Sequence, residues 1–196
     1  MTRRRIWFFV VVYSLVFVSV IVWITLIRRR AQPAPLESAT SGSTTTPPGR
    51  KITARLYYVS KDGTKLTGVD REVPYGEGAA AQAQQIVSAQ LAPVPMPLVS
   101  AIPPGTALRA LYVDGKGAAF VDLSKEASVA HTGGSQDELL TIYAIVNAVT
   151  ANLPSITSVQ LLVDGKEVET LAGHIDLRKP LQKNLTIIEA EPAAPR

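Results

Sequence analysis

Two regimes of hydrophobic patterning divide this chain. Ile6–Ile27 reads IWFFVVVYSLVFVSVIVWITLI, 22 residues without a charge. A helix needs roughly 20 apolar residues to cross a bilayer, and Trp7 and Trp23 stand near the two ends, where amphipathic rings favour the membrane interface. A cleaved signal peptide is the rival, but its apolar core is shorter, about 7–15 residues. The reading is therefore an uncleaved anchor over residues 6–27, after a short cytoplasmic arm, residues 1–5. From Lys51 onwards the pattern changes to short alternating segments and two helical periods.

The alternating segments meet at Asp-Gly pairs. Asp62-Gly63, Asp114-Gly115 and Asp164-Gly165 lie 52 and 50 residues apart, the last two inside similar stretches, LYVDGKGAAFVDL and LLVDGKEVETL. Asp-Gly between alternating runs predicts a tight hairpin, because both residues tolerate the positive φ of a type I′ turn. In the middle hairpin, Leu108, Ala110 and Tyr112 fall on one face; across the turn, Ala119, Val121 and Leu123 alternate with Phe120 and Asp122. Helices separate the hairpins. The first, around Ala79–Leu91, turns Ala79, Ala83, Ile86, Val87 and Leu91 inward. The second begins at Ser135-Gln136-Asp137-Glu138, which reads as a capping box, and continues with Leu139, Ile142, Tyr143, Val146 and Val149 before stopping ahead of Pro154. The expected fold class is α+β: two helices packed on a largely antiparallel sheet built from repeated hairpin–helix units, preceded by one transmembrane helix. Helices between hairpins exclude the all-β blades of a propeller.

Composition sharpens the boundaries. Residues 28–50, starting at Arg28-Arg29-Arg30 and continuing AQPAPLESATSGSTTTPPGR, offer almost nothing to bury and read as a disordered linker. Twenty such residues extend at most about 65–70 Å. The folded domain covers 51–188 and a tail covers 189–196. The net charge of +4 misleads, because residues 51–188 hold 12 Lys+Arg against 13 Asp+Glu. With no basic stripe, a nucleic-acid partner is not expected. Arginines flank the anchor equally, Arg3–Arg5 against Arg28–Arg30. The α-amino group tips the balance to a cytoplasmic N-terminus, with the C-terminal domain outside a single-pass cell membrane. Cysteine is absent, which removes disulfides, thiolate metal sites and a lipid-bearing thiol.

Several residues invite chemistry. In GHIDLRKP, Gly173–Pro180, His174, Asp176 and Arg178 alternate with Ile175 and Leu177. A strand with one wet face explains all five. A serine hydrolase would need a nucleophile elbow, and no G-x-S-x-G is present. His131 is read as a solvated loop residue; with only two histidines some forty residues apart, no metal site is expected. Glu167 and Glu169 read as solvated on one strand face rather than as an acid/base pair. Thr132-Gly133-Gly134-Ser135 reads as a flexible lead-in to a helix rather than as an anion or nucleotide site. The proline-rich segment Ala92–Gly105, APVPMPLVSAIPPG, carries Met96, Leu98, Val99 and Ile102 and is expected to fold onto the core. His174, Asp176, Arg178, Met96 and Leu98 are the candidate partner contacts. No catalytic, cofactor or metal residue is assigned.

Four segments in this order resemble the GerMN, or sporulation and spore germination, domain family: LYYVSKDGTKL with VDREVP; SAIPPGTALRALYVDGKGAAFVDLS; GGSQDELLTIYAIVNAVTANLPSITSVQLLVDG; and ETLAGHIDLRKPL. The resemblance spans about Ile52–Leu181. It implies a bacterial extracytoplasmic domain, often membrane-tethered, linked to spore formation, germination and the cell envelope. It also implies an α+β fold similar to ring-building domains of secretion-type assemblies, and no catalytic residue is carried over. Family members are often lipoproteins, whereas this chain would use a helix. The function expected is a non-enzymatic envelope binding or assembly module without a cofactor, its partner an envelope protein or cell-wall glycan. The alternatives are a cell-wall hydrolase using GHID and a self-assembling ring subunit, hence a homo-oligomer.

Overall fold

The computed structural model describes residues 49–190. The anchor expected at 6–27, the linker up to residue 48 and the tail from 191 lie outside the described residues. No helix among the described residues is long and apolar enough to cross a membrane.

The expected order of hairpin, helix, hairpin, helix, hairpin is observed. Strands β1 (Lys51–Val59) and β2 (Leu66–Pro74) form a two-stranded antiparallel ribbon with nine unbroken Cα pairs. Helix α1 (Gly78–Leu91) follows, then β3 (Leu108–Val113) and β4 (Ala118–Leu123). A four-residue helix α2 (Glu126–Val129), not foreseen in the sequence, precedes α3 (Ser135–Asn152). Strands β5 (Ser158–Val163), β6 (Lys166–Glu167) and β7 (Leu181–Gln182) complete the second sheet. Its order is β3-β4-β5-β6, with β7 also on β5.

The expectation of one largely antiparallel sheet needs correction on two counts. The first hairpin stands as its own ribbon, and β4 runs parallel to β5 through six residue pairs. Parallel neighbours need a crossover long enough to return the chain to its starting end. The α2–α3 connection is that crossover, so the sheet is mixed.

Helix α3 is the centre of the core. Leu140, Ile142, Ala144, Ile145, Val146, Ala148 and Val149 are all buried, more of the circumference than a single stripe predicts. Leu139 is only half-buried, so Leu140 takes the place expected of it. A helix apolar nearly all round must be packed on several sides, and α3 meets β1, α1 and β5. On α1, Ala83, Ile86 and Val87 are fully buried as expected, while Ala79 and Leu91 are only half-buried. Ala119, Val121 and Leu123 face the core from β4, but the inward residue of β3 is Leu111; Tyr112 is 63% exposed.

Two hairpin turns behave differently. At Asp164-Gly165 both residues have positive φ, 51° and 76°, as a type I′ turn requires. At Asp114-Gly115 the expected positive φ moves to Gly117, at 87°. Here the Asp114 carboxylate accepts the N–H groups of Lys116 and Ala118, each at 2.8 Å, and sets a longer loop. A Cβ on Gly117 would lie 2.7 Å from the Ser155 carbonyl oxygen, whereas one on Gly115 meets nothing. Gly117→Ala is therefore expected to cost more than about 1 kcal/mol. Gly115→Ala should stay within about 0.5 kcal/mol. Urea melts of the two variants check the assignment, and equal midpoints would refute it.

At Arg55 and Tyr57 the edge of β1 away from β2 is closed by side-chain amides. The fully buried Gln90 of α1 accepts the Tyr57 N–H at 2.9 Å and donates to the Tyr57 carbonyl at 2.7 Å. Asn152 of α3 does the same for Arg55, at 2.8 Å in each direction. Further along, the Val59 N–H donates to the Val99 carbonyl at 2.9 Å, which docks the proline-rich segment on the ribbon.

Candidate binding groove

The proline-rich segment folds onto the core as expected. Ile102 is buried, and Val94 and Leu98 pack against the core. Met96, at 92% exposed, and Val99, at 58%, remain on the surface. Of the two candidate contacts in this segment, Met96 is thus available while Leu98 is largely spent on packing.

Between this segment, the end of β1 and the start of α3 lies a groove of about 350 Å³. Val59, Ile102, Pro103 and Leu140 supply apolar surface, Val99 stands at its border, and His131, Thr132 and Asp137 add polar groups. That volume lies at the small end of ligand pockets, which typically combine apolar walls with a few convergent polar groups.

His131 is half-buried rather than solvated as expected, and it braces the groove. Its Nδ1 accepts the Gly133 N–H at 3.0 Å, so its proton sits on Nε2. Nε2 then donates to Thr141 Oγ1 at 3.2 Å, and that hydroxyl donates to the Ala101 carbonyl at 2.6 Å. One chain of bonds joins the loop before α3, α3 itself and the proline-rich segment.

The GHIDLRKP segment is a correction. No strand covers residues 173–180. The alternation of burial survives in part: Leu177 is 1% exposed and Ile175 half-buried, while His174, Asp176 and Arg178 face outward. What shapes the loop is Glu138. This residue does not close a capping box; Gly134 is the N-cap and no side chain caps the helix. Glu138 instead lies fully buried. Its Oε1 accepts the N–H groups of Leu171 and Ala172, each at 2.8 Å. Its Oε2 accepts the His174 N–H at 2.8 Å and His174 Nδ1 at 3.1 Å. Burial alone would raise the Glu138 pKa, but these four donors together outweigh it and hold the carboxyl below its ordinary range.

His174 and Asp176 are not brought together as a pair. Asp176 is gripped by Arg178, at 2.9 Å to Nε and 2.8 Å to Nη2, which pushes its pKa far down. Glu167 and Glu169 are exposed, and only Glu167 belongs to a strand. Among the described residues no group of three His, Cys, Asp or Glu side chains stands close enough to hold a metal. Glu138 and the His131–Thr141 pair escaped the sequence reading. An acidic residue in the first turn of a helix is ordinarily a cap, and nothing local distinguishes one that reaches a loop over thirty residues away.

The comparisons agree with this architecture. Residues 55–169 match the model of the Germane family, sporulation and spore germination. The match covers more than half of the chain, and the chain belongs to that family, whose structural unit is the GerMN domain. Among solved structures, a protein of Clostridium perfringens described provisionally as a lipoprotein is 27% identical, with a TM-score of 0.50 over 68% of this chain and 88% of that one. The tandem GerMN domains of the sporulation protein GerM from Bacillus subtilis are 20% identical, also with a TM-score of 0.50. That alignment covers 69% of this chain but 46% of the tandem protein. No curated protein sequence matches the chain.

Proposed function

We propose that this member of the sporulation and spore germination family is a non-enzymatic, membrane-tethered module that holds an envelope partner outside the cytoplasm. The observation that carries the reading is the commitment of His174, the residue most suggestive of chemistry. Its ring is bonded to a carboxylate whose two oxygens already accept three backbone N–H groups. Glu138 so placed could only orient the ring, and among the described residues no hydroxyl or other side chain is bonded to His174 Nε2 to serve as a nucleophile. The groove, by contrast, is apolar, braced and open, with Val99 and Met96 exposed beside it or on the same segment. Exposed apolar side chains around a preformed groove favour a binding role.

Tethering rests on the uncharged Ile6–Ile27 run, and the C. perfringens neighbour described as a lipoprotein supports an anchored domain. Without cysteine, this chain has no thiol to lipidate. Protease added outside wall-stripped cells is expected to release a fragment beginning between Ala31 and Arg50; full protection would overturn the topology.

The function is tested with the full chain in detergent micelles and purified cell-wall sacculi. Wild type and His174→Ala are both expected to release no soluble wall fragments. Wall fragments released by wild type and not by His174→Ala would establish the hydrolase instead. In sporulating cells, a photo-crosslinking residue at Val99 should capture an envelope component, and one at Glu167 should not. Capture at both sites or at neither would remove the groove as the binding surface.

A further inference from the structure

The ribbon has two edges, the first covered from Arg55 onward and the second left open beyond Leu66. On β1, the outward N–H and C=O groups of Arg55 and Tyr57 are taken by Asn152 and Gln90, and the Val59 N–H by Val99. Since those residues face away from β2, Ile52, Ala54, Leu56 and Tyr58 face towards it, opposite Val73, Arg71, Val69 and Thr67. The outward positions of β2 are therefore Leu66, Gly68, Asp70 and Glu72. Leu66 agrees: its N–H donates to the Ile187 carbonyl and its carbonyl accepts the Glu189 N–H, both at 2.8 Å. There the pairing stops. Among the described residues, no backbone or side-chain group bonds the outward backbone of Gly68, Asp70 or Glu72.

We infer that this edge is a second docking site, one that accepts an extended, lysine- or arginine-bearing segment of a partner protein as an added strand. It does not depend on the groove. A nine-residue edge strand without a bulge, and without proline before its last residue, is a template for strand addition. Charge selects the occupant. Asp70 and Glu72 share the face of β2 on which the Arg55 side chain lies across Gly68, and both are exposed, 61% and 71% at the side chain. Each has a cation on its β1 side, Arg55 at 3.9 Å and Lys51 at 3.0 Å. Their outer sides face the open edge, where basic side chains of an added strand would extend the alternation of charge. Arg71 sits on the opposite face, beside Val69. A second copy of this chain fits poorly, because antiparallel self-pairing sets Asp70 against Asp70 or Glu72, and like charges directly opposite repel. The register that avoids this needs Leu66, which Ile188 already occupies.

The probe is the acetylated, amidated heptapeptide Lys-Val-Lys-Val-Lys-Val-Lys, which offers lysines to the Asp70 face and valines to the Val69 face. It is added to the full ¹⁵N-labelled chain in micelles, and amide exchange is followed by NMR. Strand addition slows exchange at least tenfold at Gly68, Asp70 and Glu72 and leaves Thr67, Val69 and Arg71, already bonded to β1, unchanged. The same peptide N-methylated on its pairing side should bind at least tenfold more weakly, a control that cannot disturb the protein's folding. Asp70→Lys with Glu72→Lys, both surface changes, should weaken the unmethylated peptide to a similar degree. No change at β2, binding without the alternating protection, or equal binding of the methylated peptide would each overturn the proposal. Crosslinking at Val99 reads the groove separately, so either site can fail alone.

Discussion

Glu138→Leu is expected to destabilise the domain by about 3–5 kcal/mol. The substitution keeps bulk but withdraws the acceptor for the Leu171, Ala172 and His174 N–H groups and for the His174 ring. A buried donor left unpaired costs about 1–3 kcal/mol, and several are orphaned together. Urea unfolding of the full chain gives the value, and a loss under 1 kcal/mol would mean that Leu171 and Leu177 hold the loop without the carboxylate. The depressed pKa adds a signature in pH. A carboxyl that is more acidic folded than unfolded contributes stability that is complete above its unfolded value, near 4.5, and is lost as pH falls through the folded value below that. Wild type should therefore lose stability on acidification below about pH 4.5 more steeply than Glu138→Gln, whose amide does not titrate. Parallel curves would show that Glu138 carries none of the acid sensitivity.

Gln90→Leu should cost about 2–5 kcal/mol. Gln90 is fully buried, and its single amide serves both the N–H and the carbonyl of Tyr57. Leucine fits the volume and strands both backbone groups in an apolar setting, each worth about 1–3 kcal/mol. The exposed Gln84, earlier on the same helix, is the control, since Gln84→Leu should change the melting point little. If the two variants melt alike, the amide does not close the β1 edge.

What the chain reveals before folding follows from the range of each interaction. Periodicity identifies α1 and α3 and the alternation of Ala119, Val121 and Leu123, because these patterns repeat within a few residues. The Asp164-Gly165 turn is legible for the same reason. Asp114-Gly115 misleads because the Asp114 carboxylate recruits Lys116 and Ala118 and moves the positive φ to Gly117. The parallel β4–β5 pairing is hidden, since alternation records which face is buried and not the direction of the neighbouring strand. In the candidate sites, GHIDLRKP shows its inward and outward residues correctly and yet is no strand. Its conformation is imposed by Glu138, which is 36 residues from His174. The groove is still less visible, because it exists only where the proline-rich segment meets α3.

Helix α3 uses polar side chains to hold four separate stretches: Glu138 the 171–174 loop, Thr141 the segment at Ala101, Asn147 the segment at Asn184 and Asn152 strand β1 at Arg55. Apart from the His174 ring, every one of these grips is on main-chain atoms, which all residues except proline present in full. A deep mutational scan should therefore be lopsided. Four positions on one helix would tolerate almost nothing, while Ala172 and Asn184 would accept many side chains that leave the backbone path intact. Such a helix lets a surface be rewritten for new partners while the scaffold beneath it stays the same.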